Sequence, residues 1–383
     1  MTNVLVIPGW FPSKLYPFNG DFILYQTQLM HQDPDLNLSL AFLDQSLKYL
    51  YYFNTWRTQW IAHPEIPFPV AHLQRIALPK SLHYLFPGLV NAPINKMCAK
   101  IPAIKKVDII HAHCLWGGYI AQHIASRIKV PLVYTEHHSG ILDHQLSQTE
   151  LSTYQKLIDH STEISAVGPA LAAILQPFTP HRPVHIIPNF VDETLFTIHK
   201  TPKRTGFHFI CIGDLIPIKQ IDRLINAFDI IRNQYQDLHL HIIGDGPLKN
   251  DLTNQMKALN LTEMITFHGR QPNTEIPRLL NESHVLISAS KHETFGITVL
   301  EALCCGLPVI VTPSGGPEQL VNSENGILLP SDSVESIAEG MTAIHRQYSN
   351  FKATEIRAHV LIQYSKGATI EAYKSLYSKC LKS

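Results

Sequence analysis

The stretch "HVLISASKHETFGITVLEALCCGLPVIVTPS" (284–314) contains a strand, a helix and a second strand. Its ends predict short buried strands, and the segment after Glu301 has an apolar stripe at helical spacing that Gly306 can close. A strand–helix–strand unit predicts parallel pairing. Two glutamates eight residues apart would lie about 80° apart on one helix, at roughly 100° per residue. We therefore expect Glu293 on the turn before the helix and Glu301 within it.

The same alternation of apolar runs and helical segments continues along the chain. One clear helix is "IKQIDRLINAFDIIRNQY" (218–235), and 383 residues are enough for two domains. We predict an α/β fold of two Rossmann-like domains, residues 1–198 and 199–357, with a last helical segment, about 358–383, packing back on the first domain. The other apolar runs are "NVLVIP" (3–8), "LNLSLAFL" (36–43), "VDIIHAH" (107–113), "VPLVYTEH" (130–137), "EISAVG" (163–168), "VHIIPN" (184–189), "FHFICIGDL" (207–215), "LHLHIIGDG" (238–246) and "MITFHG" (264–269).

Composition and charge exclude several classes of protein. Hydrophobic residues make up 45% and charged residues 16%, and Lys+Arg and Asp+Glu both number 31, so a globule without general attraction for nucleic acid is expected. The six cysteines form no C-x-x-C pair, which argues against a zinc knuckle or disulfide framework. No secretory signal pattern and no run of 18 uncharged apolar residues occurs. We expect a cytoplasmic protein, with attachment to a membrane surface left open.

Residues directly after the apolar runs are the candidates for chemistry, because ligands of doubly wound sheets bind beyond the carboxyl ends of the strands. In a two-domain chain that region is a cleft between the domains. Lys219 in "GDLIPIK" (213–219) precedes a helix, where the dipole and the ammonium group together suit a phosphate, although a solvated lysine gives the same pattern. The N–H groups of Phe295 and Gly296 open another helix. A buried Glu301 would need donors such as ribose hydroxyls; otherwise the two glutamates are a cap and a solvated side chain.

Longer motifs then carry a resemblance. "HETFGITVLEALCCGLPVIVTPSGGPEQLVNSENGILLP" (292–330) resembles the signature region of family-4 retaining glycosyltransferases, which have the GT-B fold. "IPNFVDETLF" (187–196) is similar to their linker motif, "IGDLIPIK" (212–219) to their donor-phosphate loop, and "IIGDGPLKNDL" (242–252) to their next strand and turn. The similarity is looser in "PGWFPSKLYPFNGDF" (8–22), "DIIHAH" (108–113) and "VYTEHHSG" (133–140).

The resemblance implies a role for each matching residue of a donor-binding second domain. Glu301 would bind the donor ribose, and Glu293 would contact the transferred sugar and the catalytic centre. Lys219 would hold the diphosphate beside the N–H groups of Phe295 and Gly296.

In the first, acceptor-side domain, Gly20 would lie against the donor phosphate, and His137 would contact the sugar and the reacting acceptor. Asn189 of the linker motif and His113 are further candidates. Such enzymes retain the anomeric configuration and usually need no metal, so no metal site and no cofactor beyond a UDP- or GDP-sugar co-substrate is implied. The acceptor would be a hydroxyl of a glycan or lipid-linked molecule in cell-surface polysaccharide or lipopolysaccharide synthesis, at the cytoplasmic side of the membrane.

The chain departs from the family pattern at the phosphate loop. Asp214 stands where the family usually has arginine, and a carboxylate there would repel a diphosphate. Either Asp214 points away and Arg270 of "FHGRQP" (267–272) substitutes, or the donor is bound differently. Phe190 and Thr294 also replace usual glycines. A nucleotide-sugar hydrolase or epimerase and a non-catalytic binding module therefore remain alternatives.

Three other patterns allow alternative interpretations. Four histidines in two strand ends could bind a metal ion that activates water, or could be polar wall residues held by hydrogen bonds: His111, His113, His137 and His138. The aromatic stretch 47–61 could cover the acceptor or lie on a bilayer, although an insertion packed on the first domain is favoured. Asp33 and Asp35 have the spacing of a metal-binding pair, but the intervening proline favours an ordinary turn.

Overall fold

The computed structural model describes residues 1–13, 20–45, 59–75, 92–95, 99, 106–142, 146–200, 203–235 and 237–382. The chain forms two compact units, Met1–Ile187 with Ile370–Ser383, and Pro188–Thr369. The border after residue 187 differs from the predicted border after residue 198, because the linker belongs to the second unit. The end of the chain, from Ile370, groups with the first unit. Most of the aromatic stretch 47–61 lies outside the described residues.

The first unit is built on one sheet flanked by helices. Its strands are β1 Thr2–Pro8, β2 Leu36–Gln45, β3 Gln59–Ile61, β4 Val70–Arg75, β5 Ile109–His113, β6 Leu132–Glu136, β7 Glu163–Ala166 and β8 His185–Ile186. They lie in the order β3-β4-β2-β1-β5-β6-β7-β8, and every described pair is parallel except β3 with β4. The helices are α1 Asp21–Met30, α2 Cys114–Ile128, α3 Gln148–His160 and α4 Pro169–Leu175. The carboxyl ends of β1, β5 and β6 therefore lie side by side.

The second unit has a six-stranded sheet that is parallel throughout its described pairs. Its strands are β9 Phe207–Ile212, β10 Leu238–Ile243, β11 Ile265–Gly269, β12 Val285–Ser288, β13 Val309–Val311 and β14 Gly326–Leu328, in the order β11-β10-β9-β12-β13-β14. The helices are α5 Ile221–Ile231, α6 Lys249–Ala258, α7 Ile276–Glu282, α8 Ile297–Cys304, α9 Val334–Gln347 and α10 Ala353–Tyr364. A final helix, α11 Lys366–Cys380, contributes its residues from Ile370 to the first unit.

The predicted α/β class with parallel sheets is confirmed in both units. In α5 the predicted apolar stripe is buried in the core, including Leu224 and Phe228. The sequence pattern does not predict β3, β4 or β14. Strand β4 hides its signal because its buried positions include the polar His72 and Gln74, whereas β3 and β14 have only three residues each.

One arginine fixes the linker to the second unit. The Arg357 guanidinium donates hydrogen bonds to the carbonyl oxygens of Glu193 at 2.7 Å and Phe196 at 2.5 Å, and also to that of Cys304. The Glu193 carboxylate accepts the Lys366 N–H at 2.8 Å. These bonds satisfy backbone oxygens that no regular element would pair, so residues 188–198 belong physically to the second unit.

A row of histidines crosses one face of the second sheet. His208 Nδ1 and His241 Nε2 lie 2.8 Å apart, and His241 Nδ1 and His268 Nε2 lie 2.9 Å apart. The ring of His239 stacks on that of His208 at 4.5 Å. Each ring nitrogen of His241 is thus paired with a neighbouring strand, which keeps a buried polar layer hydrogen-bonded.

The five cysteines that the structure describes are buried. In the part of the chain that can be described, every helix is too short or too polar to cross a bilayer.

Candidate active site

Two loops at the carboxyl ends of β9 and β12 carry the predicted site residues Lys219 and Glu293 of the second unit. The loop after β9 closes with a turn, Pro217–Lys219, that leads into α5. The Lys219 Nζ atom lies 2.5 Å from Oε2 of Glu293, which follows β12. A backbone hydrogen bond of 2.8 Å from the Lys291 N–H to the Ile218 carbonyl holds the loops together. The structure therefore brings the predicted phosphate-binding lysine and the first glutamate together as an ion pair.

The environment of Lys219 keeps its ammonium group charged. Burial by itself lowers the pKa of Lys219, but the carboxylate of Glu293 more than offsets this, so the pKa lies above the ordinary value. The Lys219 and Glu293 side chains remain 25% and 22% exposed. An anion can therefore reach a lysine whose charge is fixed.

The turn before α8 has the arrangement expected from the sequence. Glu293 precedes the helix, and Glu301 lies within it at 9% exposure. Gly296 caps the helix with φ 88°, a left-handed conformation that favours glycine. Within the described chain no acceptor pairs with the N–H groups of Phe295 and Gly296. The free N–H groups and the helix dipole make this end of α8 attractive to an anion.

A glycine-rich turn supports the backbone of Thr294 and Phe295. A Cβ at Gly316 would lie 2.3 Å from the carbonyl carbon of Thr294 and 2.4 Å from the nitrogen of Phe295, so only glycine fits there. The Glu293 N–H donates to the Ser314 carbonyl at 3.0 Å. The Ser314 hydroxyl is buried, and no partner for it is found among the described residues. The sequence did not single out this hydroxyl, and nothing in its spacing signals it.

Asp214 and Arg270, the two residues singled out at the departure from the family pattern, form an ion pair. Asp214 Oδ1 and Arg270 Nη2 lie 2.5 Å apart, with side-chain exposures of 52% and 35%. The two residues follow the ends of β9 and β11, in the same region as Lys219. A cation thus lies beside the aspartate that stands where the family pattern has an arginine. Asn189 is buried in the linker.

In the first unit, the loop after β1 and the start of α1 lie against the end of β6. Gly20 caps α1 with φ 76°, and a Cβ there would lie 2.4 Å from the carbonyl oxygen of Trp10. The Trp10 ring contacts the His138 ring at 5.2 Å, and the Phe22 ring contacts the His137 ring at 5.4 Å. The structure therefore brings the predicted Gly20 loop and the predicted histidine into one neighbourhood.

His113 and His137, at the ends of β5 and β6, are directly hydrogen-bonded. His113 Nδ1 lies 2.8 Å from His137 Nε2. Burial lowers the pKa of His113 to about 3, and burial followed by the proximity of His113 lowers the pKa of His137 well below its ordinary value. Both imidazoles are neutral at physiological pH. The Nδ1 atom of His137 is buried and has no hydrogen-bond partner among the described residues.

Glu136 anchors the backbone that presents His137. Its Oε1 accepts the N–H groups of His137 and His138, both at 2.8 Å. Its Oε2 accepts the hydroxyls of Tyr154 at 2.5 Å and Tyr134. Four donors satisfy a fully buried carboxylate. Glu136 was not among the predicted site residues, although an acidic residue at the end of a buried strand is a signal that could have marked it.

The four-histidine metal hypothesis does not match this geometry. His111 is bonded to the Tyr377 hydroxyl and to Thr135 Oγ1, both at 2.7 Å, while His113 and His137 bond each other. The part of the chain that is described holds no cluster of His, Cys, Asp and Glu suited to a metal ion. The Lys374 ammonium lies 2.7 Å from the Asp35 carboxylate and 3.5 Å from that of Asp33. A lysine side chain therefore balances the charge of that pair.

Comparison with protein families covers both units. A model described as "Glycosyl transferases group 1" matches residues 196–366, and one described as "Glycosyltransferase Family 4" matches residues 58–195. The chain belongs to the family-4, group 1 glycosyltransferases. The resemblance seen in the sequence is thus confirmed, and the two α/β units are those of the GT-B fold.

Individual relatives of this glycosyltransferase are distant in sequence but similar along most of its length. N-acetyl-alpha-D-glucosaminyl L-malate synthase of Bacillus anthracis is 24% identical over 332 residues, 82% of this chain and 86% of the relative. The solved structure of Anabaena HepE in complex with UDP has a TM-score of 0.74 at 18% identity, covering 99% of this chain and 100% of HepE. The lipopolysaccharide outer core galactosyltransferase WaaB, in its apo form, has a TM-score of 0.72 at 15% identity, covering 99% and 100%.

Proposed function

We propose that this glycosyltransferase takes a sugar from a nucleotide sugar and transfers it, with retention and without a metal ion, to a hydroxyl group. The observation that carries the proposal is the Lys219–Glu293 pair at the opening of α8. A charged lysine, N–H groups and a carboxylate are thus close together, at the positions to which the resemblance assigns donor binding.

Charge explains how these groups would act. Departure of a nucleoside diphosphate develops negative charge on the leaving phosphate oxygen, and preorganised positive groups lower that barrier. Lys219 and the N–H groups of Phe295 and Gly296 would supply this stabilisation. Removing one such donor typically reduces the rate by about 10²–10³-fold. The role that a metal has in other transferases would thus fall to protein groups.

The bond changes in transfer with retention balance without any other reactant. The bond between the anomeric carbon and the phosphate oxygen breaks, and a bond to the acceptor oxygen forms on the same face. The leaving phosphate takes the acceptor's proton. Glu293 would bind the transferred sugar, Glu301 the ribose, and His137 a hydroxyl near the reacting carbon.

The relatives support a choice of first substrates. HepE was solved with UDP, and the Bacillus anthracis relative is named for an N-acetylglucosaminyl group. We propose UDP-sugars as donors, with UDP-N-acetylglucosamine and UDP-glucose tested before GDP-sugars. WaaB acts on lipopolysaccharide by its name, which supports a glycan or lipid-linked acceptor at the cytoplasmic face of a membrane. Synthesis of cell-surface polysaccharide or lipopolysaccharide is the proposed process.

A thermal-shift screen with UDP-, GDP- and ADP-sugars in EDTA tests the proposal. A ligand at 100 times its Kd should add about 2.7 kcal/mol to the free energy of unfolding. A clear shift with a UDP-sugar, followed by a product of retained anomeric configuration, is the expected result. A shift that requires a divalent ion contradicts metal independence. Release of free sugar or an epimer without transfer to any acceptor would instead favour the hydrolase or epimerase.

A further inference from the structure

We propose that His113 is a positioning residue: its hydrogen bond to His137 occupies Nε2 and presents Nδ1 of His137 to a substrate hydroxyl. This inference rests on the proposed function, because it concerns how one residue of that site is aimed. It names an atom and a partner that the family resemblance does not supply.

One ring nitrogen of His113 faces one ring nitrogen of His137. A distance of 2.8 Å between His113 Nδ1 and His137 Nε2 is that of a hydrogen bond. A neutral imidazole has one N–H donor and one acceptor nitrogen. Whichever ring donates, Nε2 of His137 is engaged, and Nδ1 is its one remaining polar atom.

Contacts from several neighbours hold the His137 ring in place. Glu136 fixes the backbone by accepting the N–H groups of His137 and His138. The Phe22 ring packs beside the imidazole at 5.4 Å, and His113 holds its Nε2 edge. A ring fixed at its backbone, one side and one edge presents the remaining edge in a single direction.

The other ring nitrogen of His137, Nδ1, is buried. His137 is 5% exposed, and its Nδ1 lacks a hydrogen-bond partner in the described part of the chain. A buried polar atom without a partner costs about 1–3 kcal/mol, so such an atom is expected to meet a ligand. A sugar hydroxyl can donate to a ring nitrogen or accept from a ring N–H, and it therefore fits either tautomer.

Position along the chain supports this function for His113. Strands β5 and β6 are neighbours, with His113 in register with Thr135, so both histidines stand at the same sheet edge. His111, two residues earlier, is bonded to Tyr377 and Thr135. His111 therefore packs the unit, whereas His113 alone of the two reaches His137.

Three substitutions at one position separate positioning from packing. In His113→Asn the amide oxygen and nitrogen are attached to Cγ, as Nδ1 is in histidine, and one of them can bond His137 Nε2. In His113→Gln the amide lies one bond further away, and His113→Leu has none. Thermal unfolding of each variant checks that it folds. If the leucine variant does not fold, the comparison of the Asn and Gln variants still tests the proposal.

The activity readout is UDP release from the UDP-sugar that stabilises the wild-type protein most. We expect kcat to fall about 10–100-fold in the Gln and Leu variants and to stay within about threefold in His113→Asn, by analogy with positioned acid–base groups. KM for the donor should change little in all three, because Lys219 and Glu301, and not His137, would bind the nucleotide part of the donor. Equal losses in the Asn and Gln variants would overturn the proposal.

A second readout does not depend on turnover. In protein labelled with ¹⁵N-histidine, the His137 signals are identified by their loss in His137→Gln. We expect one fixed neutral tautomer of His137 in the wild type and His113→Asn, and averaged tautomers in His113→Gln. A fixed tautomer in all of them would show that His113 does not orient the ring. If no nucleotide sugar is turned over, the proposed function fails, and this measurement still decides the pairing.

Discussion

The ammonium nitrogen of Lys219 lies 2.5 Å from Oε2 of Glu293. The positive charge of the lysine is therefore already balanced by a carboxylate before any donor arrives, and an incoming diphosphate must compete with that carboxylate for the lysine. When the donor binds, Glu293 can release the lysine and turn to the sugar. This exchange makes opposite predictions for binding and for turnover.

Replacing Glu293 with glutamine should strengthen UDP binding several-fold while reducing turnover. The carboxylate that competes for Lys219 is gone, but so is the proposed contact to the sugar. Lys219→Ala should weaken UDP binding by about tenfold or more, since a charge-assisted hydrogen bond contributes about 1.5–3 kcal/mol. Isothermal titration with UDP in EDTA measures both. Lys374→Ala, which removes a paired lysine of the first unit, is the control and should leave UDP affinity unchanged. Weaker UDP binding in Glu293→Gln would contradict the competition.

Glu301 should recognise the ribose hydroxyls of the donor. We expect Glu301→Ala to weaken UDP binding about 10–100-fold, the equivalent of a charged hydrogen bond of about 1.5–3 kcal/mol. With 2′,3′-dideoxy-UDP, which lacks both hydroxyls, wild type and variant should bind alike. A penalty of the same size with both ligands would mean that Glu301 supports α8 and does not touch the ribose.

The Asp214–Arg270 pair should restrain a phosphate-binding arginine. Asp214→Asn frees Arg270 and should strengthen UDP binding a few-fold, whereas Arg270→Ala should weaken it. Stability should change by less than about 1 kcal/mol, because exposed ion pairs contribute little. Arg278→Ala removes another exposed paired arginine and serves as the control. Unchanged UDP affinity in both pair variants would remove Arg270 from the donor site.

Stability should decrease as the pH falls below about 6.5. Burial lowers the pKa of His113 to about 3. Burial, together with smaller effects of neighbouring positive charges, lowers the pKa of His241 to about 3 and that of His284 to about 4. The unfolded chain protonates these groups near pH 6.5 while the folded chain does not. Each then costs about 1.4 kcal/mol per pH unit until the folded pKa is reached. Urea unfolding at pH 7.5, 6.5 and 5.5 measures the slope, which His241→Gln should reduce by about one proton. Maximum stability near pH 5 would contradict this.

Local patterns predicted the elements and the placement of the two glutamates well. The stripe of α5, the turn at Gly296 and the position of Glu301 inside α8 all follow from spacing within one short segment. Pairings between distant segments were not readable in the same way. Asp214 and Arg270 are 56 residues apart, and His113 and His137 are 24 apart. Only the order of the strands brings such residues together at the carboxyl ends of the sheet. Asp214, which the sequence suggests would repel a phosphate, is therefore found paired with Arg270 in the structure.

The first unit is complete only after Ile370–Ser383 has been synthesised. His111 is bonded to Tyr377, which lies 266 residues later, and Ile370–Ser383 belongs to the same unit as residues 1–187. The second unit is continuous from Pro188 to Thr369. Domains generally fold as units during synthesis. The second unit is therefore synthesised in full before the first, although the first begins earlier, and His111 can bond the Tyr377 hydroxyl only after that last segment has been made.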